Sequence, residues 1–178
     1  MLFVRRDVTT VSQLGVNPDL FDGIDGSTDS ELLFYLALTF GLEDDPLGGL
    51  ERAVGFVEDT GYGLGVEHPI QMTVGITDGK RVWAARYSSA HRSRTLFVSQ
   101  DAATLRALHP EAPRLQRLTD EDRVIVSEPL GDLSGAWMEV PESTAVIVQP
   151  GPDEKRPFRP QRADRAHQGV SRIATAPH

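Results

Sequence analysis

The chain has 178 residues, and 39% of them are hydrophobic, which suffices for one sizeable core and is short for two domains. A formal net charge of -8 argues against nucleic acid or an anionic membrane as the main partner, because such polyanions are usually bound by clustered Lys and Arg. The chain contains no cysteine, which excludes disulfides, thiolate metal sites and thiol nucleophiles. No apolar run approaches 18 residues, so we expect a cytoplasmic protein.

Two helices are predicted in the first third of the chain. Residues 30–40 are apolar nearly all round, which is typical of a helix packed on more than one side, and Gly41 ends this helix. Asp45 and Pro46 then have the residue types of a helix cap and a first helical position. Apolar residues at helical spacing follow, and the glycines of residues 61–65 end the second helix.

Strands dominate the rest of the chain. Alternating apolar residues from Ile70 to Ile76, the turn Asp78-Gly79 and the run 82–87 predict a β-hairpin. Two helices followed by mainly antiparallel strands predict an α+β fold. The further predicted elements are a strand at residues 95–99, a helix at 102–108, a strand at 124–127 and a last strand at 144–149.

The C-terminal segment differs in composition from the body. Residues 151–178 hold six of the 18 basic residues but three of the 26 acidic ones, together with four prolines and few apolar residues. Such a segment buries too little surface to offset its ordering entropy. We therefore predict one domain at residues 1–150 and a disordered basic tail at residues 151–178, with a partner-binding arm as the alternative.

Asp29 has two interpretations from the residues alone. Thr28, Asp29, Ser30 and Glu31 fit the capping box, in which a hydroxyl and a carboxylate satisfy backbone N–H groups of the first helical turn. Alternatively, the helix holds Asp29 in place so that its carboxylate binds a ligand cation. Capping is the commoner role for such a residue.

Three other patterns in the sequence have residue types that could carry chemistry. The glycines of residues 61–65 follow a helix, whereas a dinucleotide-binding loop follows a strand, so they indicate a helix end. Asp120, Glu121 and Asp122 could bind a hard cation such as Mg²⁺, but three adjacent acids more often form a solvated turn. Arg86 and the loop 91–94 could bind an anion, although solvated or salt-bridged arginines are commoner. No metal or cofactor is expected.

Four segments in order carry a family resemblance. The segments GIDGSTDSELLFYLALTFGLEDDP, GVEHPIQMTVGITDGKRVWAARYSS, SRTLFVS and RVIVSEPLGDLSGAWMEVPES resemble the class II glutamine amidotransferases. The likeness covers residues 20–150 and is strongest to the stand-alone group related to the γ-glutamyl hydrolase of ergothioneine biosynthesis. It implies the α-β-β-α sandwich of the N-terminal nucleophile hydrolases, here incomplete, and glutamine or a γ-glutamyl compound as the ligand.

The resemblance also implies site residues, some of which this chain lacks. Family members use an N-terminal cysteine as nucleophile and an Asn-Gly pair as oxyanion hole. Here no cysteine exists, and Arg5-Arg6-Asp7 follow Leu2-Phe3-Val4 where His-Asn-Gly would be expected.

The position that contacts the α-ammonium group of the substrate matches Asp29, with Thr28 and Gly26 beside it. These departures predict a truncated amidotransferase that is inactive alone. The alternative is a non-catalytic module that binds an amino acid or a partner, either a catalytic homologue or a second copy of the chain.

Overall fold

The computed structural model describes residues 2–4, 15–26, 28–129 and 135–161. Within these ranges no helix has the length and apolar character needed to cross a membrane. The elements in chain order are β1 (Leu2–Val4), a 3-10 helix (Pro18–Gly23), α1 (Asp29–Thr39), α2 (Pro46–Gly63), β2 (Ile70–Thr77), β3 (Val82–Ser88), β4 (Phe97–Ser99), α3 (Ala102–Leu108), a second 3-10 helix (Leu115–Arg117), β5 (Ile125–Val126), β6 (Trp137–Glu139), β7 (Thr144–Val148) and β8 (Glu154–Pro157).

Two antiparallel sheets organise the fold. The larger sheet has the strand order β1-β2-β3-β7-β8, and the smaller has the order β5-β4-β6. Every described strand pair is antiparallel. The tight β2–β3 hairpin pairs Thr77 with Val82, as the Asp78-Gly79 turn signal predicts.

The larger sheet is buried on both faces. Because side chains alternate along a strand, Trp83, Ala85 and Tyr87 of β3 lie on one face and pack in the main core with α1 and α2. Ala84, between them, faces the opposite way and packs with Val98 of the smaller sheet. The two sheets therefore stack, with the helical pair on the outer face of the larger one.

The helical pair is specified by caps and close packing. The Thr28 side chain caps α1 and the Asp45 carboxylate caps α2, where it accepts a hydrogen bond from the Gly48 N–H at 3.0 Å. Gly41, at φ 85°, provides the left-handed residue that ends α1. Leu36 of α1 is fully buried where the helices cover the sheet. These two helices follow their predicted ranges closely.

The fourth layer is small. Leu105 of α3 is fully buried in a cluster with Trp137, and Phe97 and Val126 of the smaller sheet pack against it. These residues face away from the larger sheet, so α3 covers the outer face of the smaller one. The order is thus helix, sheet, sheet, helix, which confirms the predicted α+β sandwich. Its last layer is reduced, among the described residues, to the seven-residue α3 and a short 3-10 helix.

The predicted disorder is wrong for the start of the C-terminal segment. Residues 154–157 form β8, which pairs with β7, and the predicted last strand at 144–149 is therefore not the last. Phe158 is 2% exposed and its ring centroid lies 5.5 Å from that of Tyr87. The buried Phe158 ring and the hydrogen bonds between β7 and β8 stabilise this segment. Its mainly polar composition gave no sign of either. Residues 162–178 lie outside the described part of the chain.

A buried carboxylate fixes the same segment. Glu51 of α2 is 4% exposed, and its Oε1 accepts a hydrogen bond from the backbone N–H of Arg159 at 2.9 Å. Its Oε2 accepts from the Gln161 amide at 3.2 Å and from the Arg156 guanidinium at 3.1 Å. The charge is thereby paired, which is the condition for burying it. The ordered domain accordingly extends to Gln161.

We predict that Phe158→Ala lowers the free energy of unfolding by about 3–5 kcal/mol, because it leaves a cavity beside Tyr87. Urea denaturation measures this change. The matched control is Lys155→Ala on exposed β8, for which a change within about 0.5 kcal/mol is expected. Equal, small effects of both substitutions would show that the segment is not part of the core.

Candidate functional site

The predicted site residues lie at the start of α1. Thr28 Oγ1 accepts a hydrogen bond from the Glu31 N–H at 3.3 Å and caps the helix. Asp29 is the first residue of the helix and is partly exposed. Gly26 lies in the bend that precedes the cap. The structure therefore brings the three predicted residues, Gly26, Thr28 and Asp29, into one turn.

The loop before α1 is held by side chains of the helix. Glu31 Oε1 accepts hydrogen bonds from the backbone N–H groups of Asp25, at 3.0 Å, and Gly26, at 3.1 Å. One turn later, the Tyr35 hydroxyl donates to the carbonyl oxygen of Gly23. A capping box would instead direct the glutamate to the N–H of the cap residue Thr28. Glu31 instead binds backbone groups further upstream, at Asp25 and Gly26, and so holds the loop that leads into α1.

The surroundings of Asp29 in sequence are strongly acidic. Between residues 15 and 45 the chain has eight acidic residues and no Arg, Lys or His. Such a segment favours a cation over an anion at its surface. The acidic residues are Asp19, Asp22, Asp25, Asp29, Glu31, Glu43, Asp44 and Asp45.

The N-terminal strand lies at one edge of the larger sheet, directly before Arg5-Arg6-Asp7 in the sequence. Residues Leu2–Val4 form β1, which pairs with β2 in a register that places Val4 opposite Ile70. Helix α1 contacts β1, so the Asp29 helix packs beside this strand. Residues 5–14, which include Arg5-Arg6-Asp7, lie outside the described part of the chain, as does Ser27.

A second polar cluster joins the end of α2 to β3 and was not found from the sequence. The Tyr87 hydroxyl donates to Glu58 Oε1 at 2.6 Å. Burial raises the pKa of Glu58, and hydrogen bonds from Tyr87, Ser89 and Tyr62 offset this only partly. Burial and the neighbouring Glu58 carboxylate also raise the pKa of Tyr87. No short motif signals this cluster, because Glu58 and Tyr87 lie 29 residues apart.

Arg86 belongs to an ion network and does not present an open anion site. Its guanidinium donates to Glu139 Oε1 at 2.6 Å and to Ser93 Oγ at 2.8 Å, and only 11% of its side chain is exposed. Glu142 Oε2 accepts from the Ser93 hydroxyl at 2.6 Å and lies 3.8 Å from Arg86 Nε. Two carboxylates thus neutralise the arginine between the sheets. The salt-bridged interpretation of Arg86 is the one that the structure supports.

The remaining predicted patterns are structural. Asp122 accepts hydrogen bonds from the Thr119 N–H and hydroxyl, and Asp120 pairs with Arg106, so the acidic run forms a turn. Among the described residues no group of three His, Asp or Glu side chains could hold a metal ion. The glycines of residues 61–65 end α2, as predicted, with Gly65 at φ 77°.

A groove provides a second position where a small ligand could lie. It has a volume of about 370 Å³ and runs between the start of α2 and β8. Asp45, Arg156 and Arg159 line it together with the buried Glu51. Both signs of charge are present, and Asp45 already caps the helix, so the groove has no clear preference for one class of ion.

Comparison with solved structures finds similar chains, one of which carries a functional description. The chain is similar to a glutamine aminotransferase class-II domain protein from Silicibacter pomeroyi, with a TM-score of 0.73 and 27% sequence identity. The match covers 90% of this chain and 67% of that chain. No protein-family model matches the chain, and no curated protein matches it significantly. The similarity supports the class II glutamine amidotransferase fold for this chain.

We predict that Glu58→Gln changes how stability depends on pH. A carboxyl group whose pKa is raised in the folded state stabilises the fold below its unfolded pKa, and this contribution is lost as the pH rises through the folded-state value. Wild type should therefore lose stability relative to Glu58→Gln between about pH 4 and about pH 7. Urea denaturation at both pH values measures the difference.

Tyr87→Phe is the companion variant. It removes a hydrogen bond that lowers the pKa of Glu58, so the loss of stability with rising pH should become larger than in wild type. Identical pH profiles for wild type and Glu58→Gln would contradict the assignment of a raised pKa to Glu58.

Proposed function

We propose that the chain is a class II glutamine amidotransferase-like domain that keeps the ammonium-binding position at Asp29 and has no nucleophile of its own. The observation that carries the proposal is the structural similarity over 90% of the chain to the Silicibacter pomeroyi protein. The placement of Asp29 in the first turn of α1 supports it, because a helix start holds a carboxylate in a fixed orientation. By resemblance, the ligand is glutamine or a γ-glutamyl compound.

The chemistry at Asp29 fits an ammonium ligand. A carboxylate accepts charge-assisted hydrogen bonds from an –NH₃⁺ group, and these are stronger than neutral ones. The acidic segment around it strengthens the attraction for a cation. Because the pair is partly exposed, we place its net contribution at about 1.5 kcal/mol, the lower end of the range for charge-assisted hydrogen bonds, and expect a dissociation constant no tighter than about 1 mM.

The chain does not supply the bond-breaking step. Hydrolysis of a side-chain amide by the family mechanism requires a thiolate that attacks the carbonyl carbon, with release of ammonia and then of the acyl group by water. This sequence has no cysteine. The chain matches 67% of the Silicibacter pomeroyi protein, and we infer that a nucleophile for the family reaction would come from outside this polypeptide.

The finer assignments rest on resemblance. We place the chain in the stand-alone group related to the γ-glutamyl hydrolase of ergothioneine biosynthesis and regard it as a truncated form of that domain. The second candidate is a module that binds an amino acid without catalysis. Genomic DNA upstream of the Met1 codon separates the two, because a reading frame that encodes Met-Cys followed by family-like sequence supports truncation.

We predict no glutaminase turnover by this polypeptide alone, because it lacks a thiol. A coupled assay for glutamate and ammonia release from glutamine measures the rate, with buffer as the blank and an active amidotransferase as the positive control. Turnover clearly above the blank, retained through a second purification step, would contradict the prediction.

We also predict that Asp29→Asn weakens glutamine binding by about tenfold, because a charge-assisted hydrogen bond contributes about 1.5–3 kcal/mol. Titration followed by NMR suits the weak affinity. Asp44→Asn, a change at an exposed acid in the same acidic segment but outside the loop before α1, should alter the affinity by less than about twofold.

N-acetylglutamine serves as the ligand control, since it lacks the ammonium group. It should not bind. Equal affinities for glutamine and N-acetylglutamine, or equal effects of the two substitutions, would show that Asp29 does not contact an ammonium group.

A further inference from the structure

The Glu31 carboxylate binds the backbone of the loop that precedes α1. Its Oε1 accepts from the N–H groups of Asp25 and Gly26 at 3.0 and 3.1 Å, which lie six and five residues before it. Two backbone donors converging on one carboxylate oxygen close a ring of chain between residues 25 and 31. Asp29 belongs to the segment of chain that these two hydrogen bonds span.

The Glu31 carboxylate lies very close to the backbone of Gly26. A Cβ atom added to Gly26 would lie 2.6 Å from Glu31 Oε2, which is closer than Cβ contacts in proteins allow. Oε2 is the carboxylate oxygen that accepts neither of the two loop hydrogen bonds, which both go to Oε1. The short distance therefore shows that the carboxylate packs directly against Gly26.

The Tyr35 side chain also binds this loop, from the same face of α1. Tyr35 follows Glu31 by four residues, which places both side chains on one face of α1. Its hydroxyl donates to the carbonyl oxygen of Gly23. The loop is thus held at Gly23, Asp25 and Gly26, while Thr28 caps the helix.

We propose that Glu31 is a positioning residue for the ammonium site: it holds the loop before α1 in the shape that presents the Asp29 carboxylate. The inference rests on the proposed function, because it assigns ammonium binding to Asp29. Glu31 itself is occupied by the loop, so it acts through the backbone and not as a ligand. Its required property is a hydrogen-bond acceptor, not its charge.

Two substitutions separate these properties. Glu31→Gln keeps an acceptor oxygen and removes the charge, whereas Glu31→Ala removes both. Hydrogen exchange of the Asp25 and Gly26 amides, measured by NMR on the ligand-free chain, reports on the loop. The same samples are then titrated with glutamine. The Val54 amide in α2 serves as the monitor of global stability, since Val54 is fully buried.

In Glu31→Ala, exchange at Asp25 and Gly26 should accelerate at least about tenfold more than at Val54, and glutamine affinity should fall by about tenfold. Glu31→Gln should keep both quantities within about threefold of wild type.

Unchanged exchange at both amides in Glu31→Ala would overturn this inference alone. So would a loss of affinity in Glu31→Gln equal to that in Glu31→Ala, since it would make the charge the operative property. Absence of glutamine binding by wild type would instead overturn the proposed function and the binding role of Glu31 with it.

Discussion

Burial of the larger sheet on both faces determines where every other element lies. On β3, Ala84 packs toward the smaller sheet while its neighbours Trp83 and Ala85 pack toward the helices, so a one-residue change of register would exchange the two interfaces. Helix α1 packs against α2 and against β1 of the larger sheet. With the helix fixed in this way, its N-terminus and Asp29 are fixed as well. The proposed site is therefore a consequence of the core.

Three polar contacts inside this frame each join segments that are distant in sequence. Glu51 receives the chain after β8, Arg86 joins the two sheets through Glu139, and Glu58 receives the hydroxyl of Tyr87. Buried charges are tolerated when their hydrogen bonds are satisfied. These pairs account for several charged residues that would otherwise suggest ligand sites. The start of α1 is the position where we propose that a cationic ligand binds.

Local signals in the sequence predicted much of this arrangement. The Asp78-Gly79 turn and its flanking alternation specified the hairpin, and Asp45 with Pro46 specified the start of α2. Strand β8 was not predicted because its four residues are all exposed. Its sequence therefore lacks the alternation of apolar and polar residues that indicates a strand. Its order depends on Phe158, which follows it, and on Glu51, more than a hundred residues earlier.

Some features of the candidate site were predicted from the sequence and others were not. Thr28, Asp29 and Gly26 came from a contiguous motif and a family resemblance, and the structure brings them into one turn. The hold of Glu31 on Asp25 and Gly26 was not predicted, since the motif suggested a bond to Thr28. The Arg86 network could not be predicted, because Glu139 lies 53 residues away and only the stacking of the sheets brings it near.

A crystal structure of the chain with glutamine bound would test the central claim most directly. The account predicts the ligand nitrogen of the α-ammonium group within about 3 Å of an Asp29 carboxylate oxygen, with the loop at residues 23–26 unchanged and the side-chain amide intact. Glutamine bound in the groove beside Asp45 and Arg159, with no contact to Asp29, would contradict it.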